Sequence, residues 1–303
     1  MFQRRNIILN IPEELKKNTP KAVILDTDAY NEIDDQYTIA YAMLSPDRVR
    51  LLAITAAPFF NSRSVSPADG MEKSYEEIKH IVGLVNPAAD IPIYRGSEKY
   101  LPNAKEPVES EAARAIVKLV RESNETVYIV AIGAITNVAF ALLMAPDIAE
   151  KAVLVWLGGH ALHFPHNREF NLYQDVPGAQ VVFDSKIPLV QIPCNGVCTE
   201  FVTTIPEVEY YLKGKNPLCN YLVELTRAYN AKGVKAWSKI IWDVTAMAAI
   251  VRPDTLEMVE IPRPIITDNA NYAFDMARDH YIYVRRIRRD PLYADLFTKL
   301  ENC

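Results

Sequence analysis

The chain has 303 residues, half of them hydrophobic, which is enough to bury one large α/β core or two small ones. Its net charge is −5 and no block of Lys and Arg stands out, so the composition argues against nucleic acid or an anionic membrane as a partner. No apolar run approaches the roughly 20 residues that span a bilayer, and the N-terminal stretch lacks signal-peptide features, which predicts a cytoplasmic protein.

Apolar, β-branched runs alternate with helical patterns through the first two thirds of the chain. The first predicted strand, 23–25, leads into a helix predicted over 34–44. Further strands are predicted over 49–56, 91–94, 127–132, 152–157 and 189–192, and further helices over 71–85, 109–122, 137–144 and 177–184. Hydrophobic strands separated by helices indicate an α/β fold with an open, doubly wound, mostly parallel sheet.

The later part of the chain is less regular. Helices are predicted over 206–212, 218–229 and 241–251, and strands over 261–266 and 280–287. Asp290 and Pro291 are predicted to be the N-cap and first residue of a final helix, 292–300. No repeat, low-complexity tract or linker is visible, so a single domain over residues 1–303 is the simplest account.

The most informative segment is VILDTDAYNEIDDQ, residues 23–36. It places four aspartates, Asp26, Asp28, Asp34 and Asp35, after a buried strand. Carboxylates this close repel one another unless a cation, a polar ligand or raised pKa values relieve the repulsion. Ligands of parallel sheets bind beyond the carboxyl ends of the strands. The segment therefore predicts a metal site at the end of the first strand.

Two other groups of metal-ligating residue types give weaker signals. Cys194 and Cys198 have no second Cys or His pair nearby, so they are interpreted as small core residues of a protein from a reducing compartment. Three histidines, His160, His163 and His166, share one loop, but no matching ligand set accompanies them as a zinc site would require.

Seven motifs in order resemble the nucleoside hydrolase family, of the inosine–uridine-preferring type. The aspartate segment is similar to the family's D-x-D-x-x-x-D-D, with two extra residues in its loop. The other motifs are ITAAPFFN (54–61), IPIYRG (91–96), GAITN (133–137), a glycine pair (158–159), EFN (169–171) followed by Asp175, and WD (242–243). The resemblance covers nearly the whole chain and implies a single-domain, Rossmann-like fold.

The resemblance also implies an enzyme that uses Ca²⁺ to hydrolyse the N-glycosidic bond of ribonucleosides, releasing free base and ribose. Its metal ligands would be the carboxylates of Asp28, Asp35 and Asp243 and the main-chain carbonyl of Thr136, all oxygen donors that suit Ca²⁺. Asp28 is also the expected general base, acting on a water whose pKa the cation lowers. Asp26 is expected to support the cluster.

Contacts to the ribose follow from the same resemblance. Asp34 is expected to bind the 2′-hydroxyl with help from Asn61. Asn171 is expected to bind the 3′-hydroxyl and Glu169 the 5′-hydroxyl. Asn31 and Glu32, in the enlarged loop, are further candidates for a ribose contact, although simple turn chemistry explains each of them equally well.

The leaving group is where the sequence departs from the pyrimidine-tolerant members, which carry His directly before the final aspartate. Trp242 stands there instead, as in the purine-specific branch, where stacking on indole assists departure of the base. A second stacking aromatic is left open among Phe59, Phe60, Tyr75 and Trp237. His163 replaces a ribose-contacting Asn of the family and is expected to donate a hydrogen bond or act as an acid near neutral pH.

Two other functions remain open. A non-catalytic nucleoside- or ribose-binding protein of the same fold would keep the pocket but would need no base at Asp28. A haloacid-dehalogenase-like phosphatase also begins with a strand and D-x-D, but it carries Thr or Val where this chain has Tyr30. The preferred base and sugar are also open. The resemblance implies a nucleoside as the partner, a role in nucleoside salvage, and a homodimer or homotetramer.

Overall fold

A computed structural model describes residues 10–303; residues 1–9, where a signal peptide would begin, lie outside the described part. The strands are β1 (Lys21–Thr27), β2 (Val49–Ala56), β3 (Ile93–Tyr94), β4 (Val127–Ala131), β5 (Ala152–Leu157), β6 (Leu189–Ile192), β7 (Val202–Thr203), β8 (Lys239–Ile240), β9 (Leu256–Pro262), β10 (Ile265–Ile266), β11 (Tyr272–Ala273) and β12 (His280–Ile287). Eight of them form one sheet in the order β3-β2-β1-β4-β5-β6-β12-β9. All neighbours in this sheet are parallel except β9, which is antiparallel to β12.

Helices cover both faces of the sheet. They are residues 10–16 (α1), α2 (Asp34–Met43), α3 (Pro67–Val85), α4 (Glu111–Glu122), α5 (Thr136–Met144), α6 (Phe170–Gln174), α7 (Val176–Asp184), α8 (Ile205–Leu212), α9 (Pro217–Tyr229), α10 (Val244–Val251) and α11 (Arg289–Glu301). Within residues 10–303, none of these helices is long and apolar enough to cross a membrane.

Strand β1 shows how the two cores form. Its side chains alternate between the faces, so Val23 and Leu25 join one hydrophobic core while Ala22 and Ile24 join the other. All seven residues of the strand are buried. The doubly wound, mostly parallel α/β fold predicted from the sequence is therefore confirmed, and both cores are built on one sheet.

Several predicted boundaries were wrong, for local reasons. Helix α3 begins before residue 71, because Ser66 caps it by accepting from the Asp69 amide at 3.1 Å. The predicted strand over 261–266 is two strands, since β9 ends at Pro262 and β10 pairs with β11 instead. Asp290 is not an N-cap: α11 begins at Arg289, which places Asp290 in its first turn, where the helix dipole favours an acid.

Candidate functional site

Asp26 ties together the carboxyl ends of the central strands. Its Oδ1 accepts a hydrogen bond from Thr55 Oγ1 at 2.6 Å and from Asn137 Nδ2 at 2.8 Å. Asn137 also donates to the carbonyl of Ala56 at 3.0 Å. Burial raises the pKa of Asp26 to about 6, against the effect of these two hydrogen bonds. Asp26 therefore links β1 to β2 and to the start of α5, and so fixes the relative positions of the loops that follow these strands.

Three further aspartates meet at the start of two helices. Asp34 and Asp35 are the first residues of α2, and Asp243 directly precedes α10. Each offers a carboxylate oxygen within 4.8 Å of the other two, and all three are buried. Asp35 accepts from Thr27 Oγ1 at 2.5 Å and is hydrogen-bonded to Asp243. The chain thus brings together residues more than two hundred positions apart, and Asp35 and Asp243 are two of the metal ligands that the family resemblance implies.

Asp28 is buried beside this group. Neither of its carboxylate oxygens has a hydrogen-bond partner in the described part of the chain. A side chain at Gly133 would place its Cβ 2.9 Å from Cγ of Asp28, so the close approach of the two requires glycine there. We call Asp26, Asp28, Asp34, Asp35 and Asp243 the acidic cluster.

The acidic cluster is electrostatically strained when no cation is bound. Burial, then repulsion from Asp35 and Asp34, raises the pKa of Asp28 well above its usual range. Burial, then Asp34, raises the pKa of Asp35 to about 7. Burial, then repulsion from Asp34 and Asp35, raises the pKa of Asp243 well above its usual range. Gathered carboxylates with unpartnered oxygens are a donor set that fits a hard cation such as Ca²⁺.

A cavity of about 340 Å³ opens beside the cluster. Seven of the predicted site residues line it: Asn31, Asp34, Asn61, Glu169, Asn171, Trp242 and Asp243. The remaining lining residues are Glu32, Ile132, Leu157, His160, Arg168, Phe170, Cys194 and Asn195. The other predicted residues lie outside this lining: Asp28, Asp35 and Thr136 are buried, and His163 is exposed.

The asparagines of the cavity are held by defined contacts. Asn61 Nδ2 donates to Asn31 Oδ1 at 2.6 Å, so the loops after β1 and β2 are joined at the cavity wall. Asn171 Nδ2 donates to the carbonyls of Ile132 and Leu157, both at 3.0 Å. Because both amide hydrogens of Asn171 are used, Oδ1 is the atom it can offer to a ligand.

Glu169 serves as the N-cap of α6. Its two carboxylate oxygens accept from the amides of Gly159 at 2.8 Å, Asn171 at 2.9 Å and Leu172 at 2.9 Å. Burial raises the pKa of Glu169, and these hydrogen bonds oppose the rise. This structural role was not predicted, and the contact to a 5′-hydroxyl stays a prediction.

Thr136 is the first residue of α5, in the turn that follows β4 and contains Gly133. Its hydroxyl donates to Asp175 Oδ2 at 2.6 Å, and Asp175 in turn caps α7 through the amide of Gly178 at 2.8 Å. The hydrogen bond to Asp175 holds Thr136 in place, three residues after Gly133, the glycine that lies against Asp28. The carbonyl of Thr136 remains a predicted metal ligand.

The histidine at the cavity is His160 rather than His163. His160 is buried, and its Nδ1 has no partner in the described part of the chain. Burial, then the neighbouring His166, lowers the pKa of His160, so its imidazole is neutral at neutral pH. The three histidines do not form a metal group within residues 10–303. The sequence feature that could have identified His160 is its position directly after the glycine pair that follows β5.

Trp242 lines the cavity and has no aromatic ring packed on it within the described residues. Its side chain is half-buried, packs partly against the hydrophobic core and contributes to the cavity wall. The four aromatics considered as its stacking partner all lie outside the cavity lining, and Phe170 is the other aromatic residue there. Cys194 also lines the cavity, while Cys198 is buried against Thr245, with Sγ and Oγ1 3.2 Å apart.

Two charged residues at or near the cavity were missed from the sequence: Arg168, in its lining, and Lys239. Lys239, in β8, is buried, forms an ion pair with Glu32 and has its Nζ 3.8 Å from Asp34 Oδ1. Burial opposes the charged form, but Asp34 and Glu32 outweigh it and raise the pKa of Lys239. A two-residue strand has no periodicity to reveal it, so the pattern gave no sign of this contact.

Comparison with known proteins agrees with the geometry. The sequence profile of the family described as inosine-uridine preferring nucleoside hydrolase matches residues 23–282. The uncharacterized protein C1683.06c of Schizosaccharomyces pombe is 26% identical over 262 residues, which cover 77% of this chain and 80% of that protein. The pyrimidine-specific ribonucleoside hydrolase RihA of Escherichia coli O1:K1 / APEC is 28% identical over 228 residues, which cover 67% and 69%.

A solved structure described as a purine-preferring ribonucleoside hydrolase from Gardnerella vaginalis has the same fold. It superposes with a TM-score of 0.78 at 19% identity and covers 93% of this chain and 98% of that one. The match of the family profile extends over most of the sequence and includes every member of the acidic cluster. The chain belongs to the inosine-uridine preferring nucleoside hydrolase family and is a hydrolase that acts on ribonucleosides.

Proposed function

We propose that this hydrolase depends on Ca²⁺ and prefers purine ribonucleosides, which it cleaves to free base and ribose. The observation that supports the proposal is the cavity of about 340 Å³ whose wall includes both Asp243 of the acidic cluster and Trp242. A ribose next to the carboxylates would place its base within reach of the indole.

Four residues would hold the ion: Asp28, Asp35 and Asp243 through carboxylate oxygens, and Thr136 through its carbonyl. When bound, Ca²⁺ supplies positive charge that lowers the pKa of a coordinated water. Asp28, whose oxygens have no other partner in the described chain, accepts the proton of the attacking water.

The polar wall of the cavity would hold the sugar. Asp34 with Asn61 binds the 2′-hydroxyl, Asn171 the 3′-hydroxyl through Oδ1, and Asn31 orients Asn61. Breaking the glycosidic bond develops positive charge on the ribose, which the adjacent carboxylates stabilise. Contacts to the hydroxyls orient the anomeric carbon toward the water.

Departure of the base is assigned to Trp242, with His160 as a neutral hydrogen-bonding group in the same cavity. A purine offers a larger ring system to the indole than a pyrimidine does. RihA is described as pyrimidine-specific and the Gardnerella enzyme as purine-preferring, so the family alone leaves the base open. The purine preference proposed here rests on Trp242. A homodimeric or homotetrameric state, a cytoplasmic location and a role in nucleoside salvage stay predictions from the resemblance.

A panel of inosine, adenosine, guanosine, uridine and cytidine tests the proposal by release of free ribose. We expect turnover with added Ca²⁺, loss of turnover after exhaustive chelation, and higher kcat/KM for the purines. Activity that survives chelation would contradict the metal dependence. Higher kcat/KM for uridine or cytidine would contradict the base preference.

The role of Trp242 is tested separately by Trp242→Ala. Stacking of a base on an aromatic ring contributes about 1–3 kcal/mol, so kcat on inosine should fall roughly tenfold or more beyond the fall on uridine. Trp237→Ala, which removes a partly buried tryptophan outside the cavity, is the matched control. Equal losses on the two nucleosides would remove the stacking assignment.

A further inference from the structure

Among the described residues, Lys239 is the one cation that contacts the acidic cluster. Within residues 10–303, no other Lys or Arg nitrogen lies within 4.0 Å of a carboxylate oxygen of that cluster. The side chain is 8% exposed, and its strand β8 is held by antiparallel pairing to β7. A buried ammonium needs partners that compensate its lost hydration, and here these are the carboxylates of Glu32 and Asp34.

Glu32 is itself fixed from several directions. Tyr229 Oη donates to Glu32 Oε1 at 2.8 Å, and Arg63 Nη1 donates to the Glu32 carbonyl at 2.8 Å. The Arg63 guanidinium also lies 4.4 Å from the ring centroid of Tyr30. Glu32 belongs to the loop that is two residues longer than the family motif. The enlarged loop is thus tied to β8 and α9 through Glu32, Lys239 and Tyr229.

Asp34 has two possible positive partners. Its carboxylate reaches within 4.8 Å of oxygens of Asp35 and Asp243, close enough to join them around an ion. The ammonium of Lys239 competes for the same carboxylate at 3.8 Å. A carboxylate paired with an ammonium still has lone pairs to accept a hydroxyl.

We propose that Lys239, anchored by Glu32, is a positioning residue that keeps Asp34 out of the metal's ligand set and available to the ribose 2′-hydroxyl. The enlarged loop thereby determines how strongly the enzyme distinguishes ribosides from 2′-deoxyribosides. This inference rests on the proposed function of Asp34.

The kinetic test compares inosine with 2′-deoxyinosine. A hydrogen bond to a charged group is worth about tenfold to a hundredfold in binding, so Lys239→Met should lower kcat/KM for inosine by about that factor. The loss on 2′-deoxyinosine should be about threefold or less. Glu32→Gln should likewise lower the ratio of kcat/KM for inosine to kcat/KM for 2′-deoxyinosine. Lys239→Arg, which keeps the positive charge, should retain most of the wild-type ratio. Lys235→Met, at an exposed lysine without an ion pair in the described chain, should change nothing.

A second readout needs no turnover. Calorimetric titration with Ca²⁺ alone should show about tenfold tighter binding to Lys239→Met than to the wild type, because Asp34 is released toward the ion. Adding Asp34→Asn should abolish that gain. Equal kinetic losses on the two sugars, or unchanged Ca²⁺ affinity, would overturn the proposal. If Lys239→Met does not fold, Glu32→Gln at the cavity wall can be used for both the comparison of the two nucleosides and the Ca²⁺ titration. Wild-type protein that releases sugar from neither nucleoside would instead contradict the proposed function, while the calorimetric result would still decide the role of Lys239.

Discussion

Asp28 is buried, and neither of its carboxylate oxygens has a hydrogen-bond partner within residues 10–303, so both are free to act on a bound water. Asp28→Asn keeps the shape of the side chain but cannot accept a proton from water at neutral pH. We expect kcat to fall about 10³-fold, since a general base contributes roughly 10²–10⁴. Ribose release measures the loss.

The same variant should not harm folding. Removing one carboxylate reduces the repulsion within the metal-free acidic cluster. The melting temperature of the variant in chelator should therefore be equal to or above that of the wild type. Asp90→Asn, at an exposed aspartate, is the control for both measurements. Near-wild-type turnover of Asp28→Asn would refute the assignment of the base and favour a different catalytic group.

For single residues, the sequence identified which side chains belong to the site more often than it identified where a loop would place them. Asp34, Asp35 and Asp243 could be predicted because short motifs place each of them at the start of a helix. His163 was placed by spacing alone, but spacing does not determine the path of the loop after β5, which buries His160 and exposes His163. Lys239 contacts partners some two hundred residues away, and no local pattern carries that information.

Among the elements, α6 depends on an unusual cap. This five-residue helix begins where Glu169 accepts three backbone N–H groups, including one from Gly159 in the turn after β5. Loss of an N-cap costs about 0.5–2 kcal/mol. We therefore expect Glu169→Ala to lower the free energy of unfolding by about 1 kcal/mol or more, and Glu169→Gln to lower it less. Denaturant unfolding with Ca²⁺ present measures both.

The control for this prediction is Glu150→Ala, at an exposed glutamate, which should leave the unfolding free energy nearly unchanged. The two interpretations of Glu169 give different results. An unchanged unfolding free energy combined with a raised KM would assign Glu169 to direct contact with the 5′-hydroxyl rather than to the cap.

The elements themselves were predictable where hydrophobic periodicity is strong. Strands β1, β4 and β5 are buried on both faces and are apolar nearly throughout. Short strands such as β7 and β8 consist of two residues each, too few to show a period of two. They form only because tertiary contacts bring the segments together, so the sequence could not reveal them.

For the whole molecule, the raised pKa values predict how metal-free stability depends on pH. The folded pKa of Asp26 is about 6 and that of Asp35 about 7, both above the ordinary value of 3.8. The folded state therefore holds more protons than the unfolded state in this range, and the stability contributed by these groups is lost as the pH rises through 6 to 7. We expect the melting temperature in chelator to fall between about pH 5 and about pH 8.

Added Ca²⁺ should reverse this trend. The ion must displace protons from the cluster at low pH, so its stabilising effect should be larger at about pH 8 than at about pH 5. Thermal melts with Ca²⁺ and with chelator at both pH values give the difference directly. A Ca²⁺-induced increase that is equal at the two pH values, or larger at the lower one, would show that the cluster does not bind the ion.

The global fold was predictable because alternating strands and helices leave few topologies for a parallel sheet. The antiparallel strand β9 was only partly anticipated: Glu257 and Glu260 lie three residues apart, which does not match the period of two of a strand, and the predicted strand began near its end. The pairing of β9 with β12 depends on contacts across the sheet rather than on local pattern.

The two ends of the sheet have a consequence for assembly. One outer strand, β3, has only two residues, and the other, β9, carries Glu257 and Glu260 and ends at Pro262. Very short, charged or proline-terminated outer strands are poor templates for pairing with a second chain. If copies of this protein associate, we expect the shared surface to be made by helices and loops, with each sheet ending within its own subunit.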